Sequence, residues 1–351
     1  MQPKHFFIIL PYYLSLLHAL SLFRRATPKN WYKGNIITKI ATMAKLQDIS
    51  SKDAATHLKE LQRVFKLLAE TDVYQVESGF SADKEAILKV FEITKEETKA
   101  DILVRLTLID SMYSTQMSRR YYALDELAEF LVKLSKGKSG KLKQMFLDFA
   151  KDPEKANKLF DLNKSNLFSE SYGIGKDGSD KGVAISLISK YAYFDTGFQF
   201  PIYDSIACEM YPLVWNYCGF DKKSMPKLIH SENGRVVGDT TLVEYTKAIN
   251  LLIKKLDCKE LNYDLLDRFL WFVGKIRRGN LSLVLSREEY ELTMKKYPVQ
   301  SVTTTLKNGK EKTTVEYFNI EKVDLQKLSY LRKNPLLMEF FKLAKVYGHK
   351  K

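Results

Sequence analysis

From Ser51 onward, apolar residues recur at three- and four-residue intervals, and this recurrence restricts the fold more than any other feature of the chain. Ser51–Thr71 places Leu58, Leu61, Phe65 and Leu68 on one face. Thr94 and Glu97 have the spacing of a capping box ahead of Ile102, Leu103, Leu106, Ile109 and Tyr113. Leu124, Leu127, Leu131 and Leu134 form the next stripe, ended by Gly137. Two short amphipathic pieces follow over 141–150 and 153–162, with Asp152-Pro153 as the break between them. Thr241 and Glu244 read as the cap of a helix carrying Ile249, Leu252, Ile253 and Leu256, and the next stripe is Leu265, Leu266, Phe269 and Phe272. A last helix is expected over 323–347, interrupted at Asn334-Pro335.

Two stretches alternate as strands do. Val299–Tyr317 is threonine-rich around Lys307-Asn308-Gly309-Lys310, and Asn-Gly is a strong short-range hairpin signal. Ser231–Asp239 is a shorter candidate with its own Asn-Gly. The prediction is a mainly α protein: a helical bundle of one or two lobes, with a helix-hairpin-helix-like element and a late β-hairpin. Three segments are expected: a leader over 1–43, a helical body over 44–281, and a hairpin-and-helix segment over 282–351.

The formal charge of +14 is unevenly placed, because seven basic residues and no acidic one precede Asp48. The body therefore carries a moderate basic excess, which favours a polyanionic partner without specifying one. Phe6–Phe23 is an 18-residue apolar run that reads as a leader, cleaved or untranslated, or else as a membrane anchor if it is retained and inserted. Met43 resembles an ordinary cytosolic start, and the body is expected to be intracellular. Cys208, Cys218 and Cys258 lack CxxC spacing, and His57 and His230 are isolated, so neither a metal site nor a His-based triad is predicted, and no cofactor.

Chemistry is expected within Gly173–Ala207. Gly173-Ile-Gly175-Lys-Asp-Gly178 matches GxGxxG, but the polar run Asn163–Ser171 does not supply the buried strand a dinucleotide fold needs ahead of it. Two readings remain: a loop between helices, or a helix–Gly-x-Gly–helix turn that grips phosphate. In the second, Gly173 and Gly175 allow the turn, a helix starts near Asp180–Val183, and Lys176 and Lys181 flank its free N–H groups. The helix Val183–Phe194 is apolar almost all round and contains Lys190. Pro201 then imposes an extended approach to Asp204-Ser205, where Asp204 is either an N-cap or a carboxylate at the mouth of a cleft.

Ser186-Leu-Ile-Ser-Lys190-Tyr-Ala-Tyr-Phe followed by Phe200-Pro-Ile-Tyr-Asp204-Ser resembles the hairpin-to-Asp region of helix-hairpin-helix DNA glycosylases, nearest the divergent 8-oxoguanine-glycosylase-like branch. Arg105–Gln116 and Tyr263–Lys275 fit uncharacterised proteins of that kind. The resemblance implies a DNA partner, removal of a modified or damaged base, and Asp204 as the carboxylate that assists loss of the base. Bifunctional members carry an amine nucleophile where this chain has Gly182-Val183-Ala184, with Lys181 nearby and Lys190 two turns further on. That departure implies hydrolysis without a lyase lysine, or a non-enzymatic DNA-binding or interaction protein on the same scaffold. A flipped base would be read by Tyr113, Gln116, Lys190 and Trp271, although Tyr113 and Trp271 also fit core stripes. Arg119, Arg120, Lys275, Arg277 and Arg278 would meet phosphates or form a solvated face.

Overall fold

The computed structural model describes residues 51–71, 79–162, 165–175, 178, 182–225, 238–299, 301–305, 311–315 and 318–348. The leader, Lys176, Lys181, His230, the strand candidate at 231–237 and the Asn-Gly turn at 308–309 lie outside the described residues. The rest is mainly α, as the periodicity predicts.

The helices are α1 (Ser51–Glu70), α2 (Gly79–Ile93), α3 (Lys99–Tyr113), α4 (Ala123–Ser135), α5 (Lys141–Lys151) and the short α6 (Pro153–Ala156). After the two-residue strands β1 (Asp161–Leu162), β2 (Ser165–Asn166), β3 (Ser171–Tyr172) and β4 (Gly182–Val183) come α7 (Ile185–Asp195), α8 (Ser205–Tyr217), α9 (Gly238–Leu256), α10 (Tyr263–Arg277) and α11 (Arg287–Lys296). The chain ends with β5 (Ser301–Thr305), β6 (Glu311–Val315), α12 (Ser329–Lys333) and α13 (Pro335–Val346). The late hairpin is antiparallel, pairing Ser301 with Val315 and Thr305 with Glu311.

Local chemistry sets most of the ends. Asp152 caps α6 with Pro153 in its first turn, and Asn334 caps α13 with Pro335 in the same position. Ser286 and Glu289 form the capping box of α11. Two expected caps are displaced. The α3 cap is Thr98, which accepts from Asp101 N at 3.2 Å, while Glu97 turns inward to the Ser135 side chain and the backbone of Gly140 and Leu142. Thr241 is not a cap but a fully buried residue inside α9, which begins at Gly238.

α3 packs on α2, α4 and α7, whereas α10 packs on α8, α13 and α1. The two groups are joined where Lys84 of α2 and Tyr193 of α7 both reach Asp264 of α10. Phe146, Phe149, Phe160, Phe168 and Phe200 interlock below α7 with centroid separations of 4.8 to 5.8 Å. Each such pair adds about 0.5–1.5 kcal/mol beyond its area burial. Gly274 lets α10 cross α8 closely, since a Cβ there would lie 2.4 Å from Ile206 Cγ2. The crossing brings the last turn of α10 against the start of α8, where Asp204 stands.

The glycine turn departs from the expected helix–turn–helix geometry. β3, rather than a helix, leads into Gly173, and the run closes a ribbon in which Ser171 pairs with Val183 and Tyr172 with Gly182. α7 then starts at Ile185, later than the sequence suggests.

Candidate active site

Three restraints place Asp204. Ser189 on α7 receives the Tyr203 N–H at 3.0 Å, Tyr245 on α9 donates to Ile202 O at 2.6 Å, and the Asp204 backbone, three residues after Pro201, is extended. Asp204 Oδ1 then accepts the N–H groups of Ile206 and Ala207, both at 2.8 Å. The N-cap role is therefore real, and it occupies one oxygen. The other oxygen, Oδ2, lies 3.9 Å from Lys190 Nζ, in a pair whose side chains are 24% exposed for Asp204 and 3% for Lys190.

Lys190 sits on the inner side of α7. Its Nζ donates to Ser186 Oγ at 2.9 Å and lies 5.6 Å from the centre of the half-buried Tyr113 ring at the end of α3. Burial drives its pKa down, and the carboxylates of Asp204 and Asp267 pull it partly back. Cys208, one turn into α8, has its thiol pushed up to about 12, by burial first and Asp204 second.

Across from α7, one face of α10 presents Asp264, Asp267, Arg268, Trp271 and Lys275 at helical spacing. Lys275 Nζ lies 5.5 Å from the Trp271 ring centre, and burial lowers its pKa while Asp204 raises it. Asp267 keeps some accessible surface, yet protein surrounds it. Burial first, then the charge of Asp204, pushes its carboxyl up to about 8 against the pull of Lys190 and Lys84. A carboxyl raised in this way favours its protonated form, which can donate a hydrogen bond, and it stands near the capped carboxylate Asp204 and the buried amine of Lys190.

Below this cluster Asp264 accepts from Lys84 Nζ and Arg268 at 2.6 Å each, and from the Tyr193 hydroxyl. The fully buried Lys84 also donates to Tyr193 at 2.6 Å and lies 3.9 Å from the centre of the Phe198 ring. An open cleft of about 570 Å³ reaches Asp264 from outside past Phe198, Asn250 and Tyr263, and does not include Asp204. Its Asn250 and Tyr263 bond to each other and to Ala150 O.

The residues singled out by sequence divide accordingly. Lys190 lies against both Asp204 and Tyr113, and Lys275, with Trp271 beside it, is near enough to feel the charges of Asp204 and Lys190. Gln116 is exposed on the loop after Tyr113 and bonds to Arg119 Nη1 at 3.2 Å, while Arg119 is exposed beside it. Arg120 is half-buried, and a Cβ at Gly182 would lie 2.7 Å from its guanidinium carbon. The Gly173 N–H is taken by Glu126 Oε2 at 2.8 Å, and Gly175 O accepts from Gly178 N at 3.0 Å, so Gly173 does not offer its amide to phosphate. Arg277 and Arg278 both pair with Glu209, Arg278 at 2.7 Å, and Arg278 also bonds to Ser205 O. They brace α8 against α10 rather than forming a solvated face.

Sequence reasoning passed over Asp267, although its i, i+4 relation to Trp271 was available. Among the described residues no cluster of His, Cys, Asp and Glu is arranged to hold a metal ion, and no helix is long and apolar enough to cross a membrane. Comparison with protein families, with curated proteins and with solved structures finds no match to this chain.

Proposed function

We propose that this chain is a DNA-binding enzyme of the glycosylase kind, which hydrolyses the bond between a modified or damaged base and its sugar without an amine nucleophile. The observation that carries the reading is the division of Asp204: one oxygen is held by two backbone N–H groups, and the other, on a side chain that stays 24% exposed, lies 3.9 Å from Lys190 Nζ. A carboxylate held in this way cannot swing away and needs no reorganisation when positive charge develops nearby.

The chemistry follows from the groups present. A nucleotide turned out of the stack lies between Tyr113 and Trp271. As the bond from the sugar carbon to the base nitrogen breaks, the base leaves with the electron pair and Asp204 Oδ2 stabilises the cationic sugar. Water adds to that carbon and gives its proton to Asp204. The protonated Asp267 delivers the proton that the departing base needs, and the two carboxyl groups then re-equilibrate. Lys190, nearly inaccessible and bonded to Ser186, orients Asp204 rather than attacking the sugar.

The test is base release from DNA duplexes carrying assorted oxidised, alkylated or deaminated bases, followed by borohydride treatment. Wild type is expected to leave abasic sites with the strand intact and no trapped adduct. A borohydride-trapped adduct at Lys190 would replace the hydrolytic route with an amine-nucleophile one. DNA binding without release from any substrate would leave a non-enzymatic binding protein in which Asp204 is only a cap.

A further inference from the structure

The cations that α7 and α10 bring to this region are engaged to very different degrees. Lys190 donates to Ser186 and lies 3.9 Å from Asp204. Arg268 pairs with Asp264 at 2.6 Å, and Arg277 and Arg278 both pair with Glu209. Lys275, in the last turn of α10, differs from all four. Among the described residues no carboxylate comes within ion-pair distance of its Nζ, and no acceptor within hydrogen-bond distance. What steadies it is the Trp271 ring, one turn back, whose centre is 5.5 Å away. The side chain is half-buried, yet its ammonium is not sealed from solvent.

The surroundings of Lys275 leave its charge only partly compensated. Burial, the largest cause, lowers its pKa; Asp204 raises it from beyond pairing distance, and Arg278 and Lys190 lower it again. Two cations and one carboxylate therefore act on this ammonium, and the carboxylate is already spent on a helix cap and on Lys190. An anion from outside the chain would complete it. A nucleotide losing its base supplies one, because its sugar turns positive while the phosphates on either side stay negative. Asp204 Oδ2 and Lys275 Nζ present the opposite pair of charges, near enough to interact and too far apart to cancel by contact. The Trp271 ring already restrains the ammonium, so a bound phosphate has less side-chain freedom to remove.

We propose that Lys275, steadied on Trp271, holds a phosphate next to the nucleotide whose sugar faces Asp204, and so fixes which nucleotide of the strand enters the site. The inference rests on the DNA-binding reading above. Its test uses labelled duplexes with one tetrahydrofuran abasic analogue and a single neutral methylphosphonate linkage, moved in turn along the strand around the analogue. Binding by the full chain is measured by fluorescence anisotropy at several salt concentrations. Lys275→Met, which keeps the stem against Trp271, is compared with Lys275→Arg, which keeps the charge. In wild type one linkage beside the analogue should weaken binding by about 10-fold when neutral, the worth of one hydrogen bond to a charged group. Lys275→Met should weaken binding of the fully charged duplex about as much, lower the salt slope by about one and lose its sensitivity to that linkage. Lys275→Arg should stay sensitive to it. A linkage penalty or a salt slope that Lys275→Met leaves unchanged overturns the phosphate contact, while base release by wild type still upholds the glycosylase reading. Lys275→Met that binds as wild type but releases base more slowly also overturns it, because the lysine then acts on the reacting nucleotide itself. Wild type that binds no DNA overturns both.

Discussion

Replacing Asp204 with asparagine and with alanine separates the two jobs its carboxylate holds. Asparagine keeps an oxygen that can accept from Ile206 N and Ala207 N and is among the best N-cap residues; alanine removes the acceptor. Cap loss costs about 1 kcal/mol, within a range of roughly 0.5–2. Both substitutions also remove the negative charge facing Lys190. Breaking a well-formed buried pair costs about 3–5 kcal/mol when the remaining ion stays charged. Two features reduce that figure here. The separation of 3.9 Å is long and Asp204 is a quarter exposed; and Lys190, its pKa already lowered, can shed its proton while keeping Ser186 as a partner. The charge term is thus expected to be about 1 kcal/mol. Asp204→Asn should lose about 1 kcal/mol and Asp204→Ala about 2 kcal/mol in denaturant unfolding, with a melting difference of a few degrees between them. Base release should vanish in both variants. If the asparagine variant is as unstable as the alanine one, the capping account is wrong. If it retains base release, the carboxylate does not serve catalysis.

Two further outcomes concern the scaffold. Gly274→Ala should destabilise by about 1–3 kcal/mol, because its Cβ would meet Ile206 Cγ2 at 2.4 Å and Met210 Cγ at 3.1 Å in a well-packed crossing; an unchanged unfolding midpoint would mean that α8 and α10 are free to separate. Asp195 is buried beside Arg105, Glu97 and Lys143, and burial, the largest cause, lifts its pKa to about 7. Because the folded state then holds the proton more tightly than the unfolded chain, the stability this group contributes is complete below about pH 4 and is lost as pH rises through 7. Wild type should therefore lose stability relative to Asp195→Asn between about pH 4 and 7 in parallel melts, and a difference that does not change with pH would refute the assignment.

Local signals were legible where the physics is local. Most helical stripes, the breaks at Asp152-Pro153 and Asn334-Pro335 and the late hairpin depend on residues only a few positions apart, and the structure keeps them. The piece expected over 153–162, however, is α-helical only over Pro153–Ala156, and the last helix starts at Ser329 rather than 323. The α3 cap shows the limit. Thr94 with Glu97 and Thr98 with Asp101 both have capping-box spacing, and sequence does not rank them. The choice falls on Thr98 because Glu97 finds donors on Ser135, Gly140 and Leu142, which are remote in the chain. Arg277 and Arg278 read as phosphate contacts or a solvated face until Glu209 on α8 is brought against them.

For the candidate site, the sequence by itself determined that Gly173–Ala207 contains a tight turn, an apolar helix bearing Lys190 and a proline-guided approach to Asp204. Glycine, proline and apolar spacing act through the adjacent backbone, so these features could be read directly. Only the tertiary structure decided that Lys190 lies against Asp204, that Asp267 joins them as a raised-pKa acid, and that the Gly173 amide is spent on Glu126. In sequence Asp267 is one charge among several on an amphipathic helix. Its distinct character comes from being surrounded, with Asp204, Lys190, Lys84 and Asp264 brought near its carboxyl from three other parts of the chain and its own helix. Burial and charge proximity sum over the whole fold, and no local pattern encodes them.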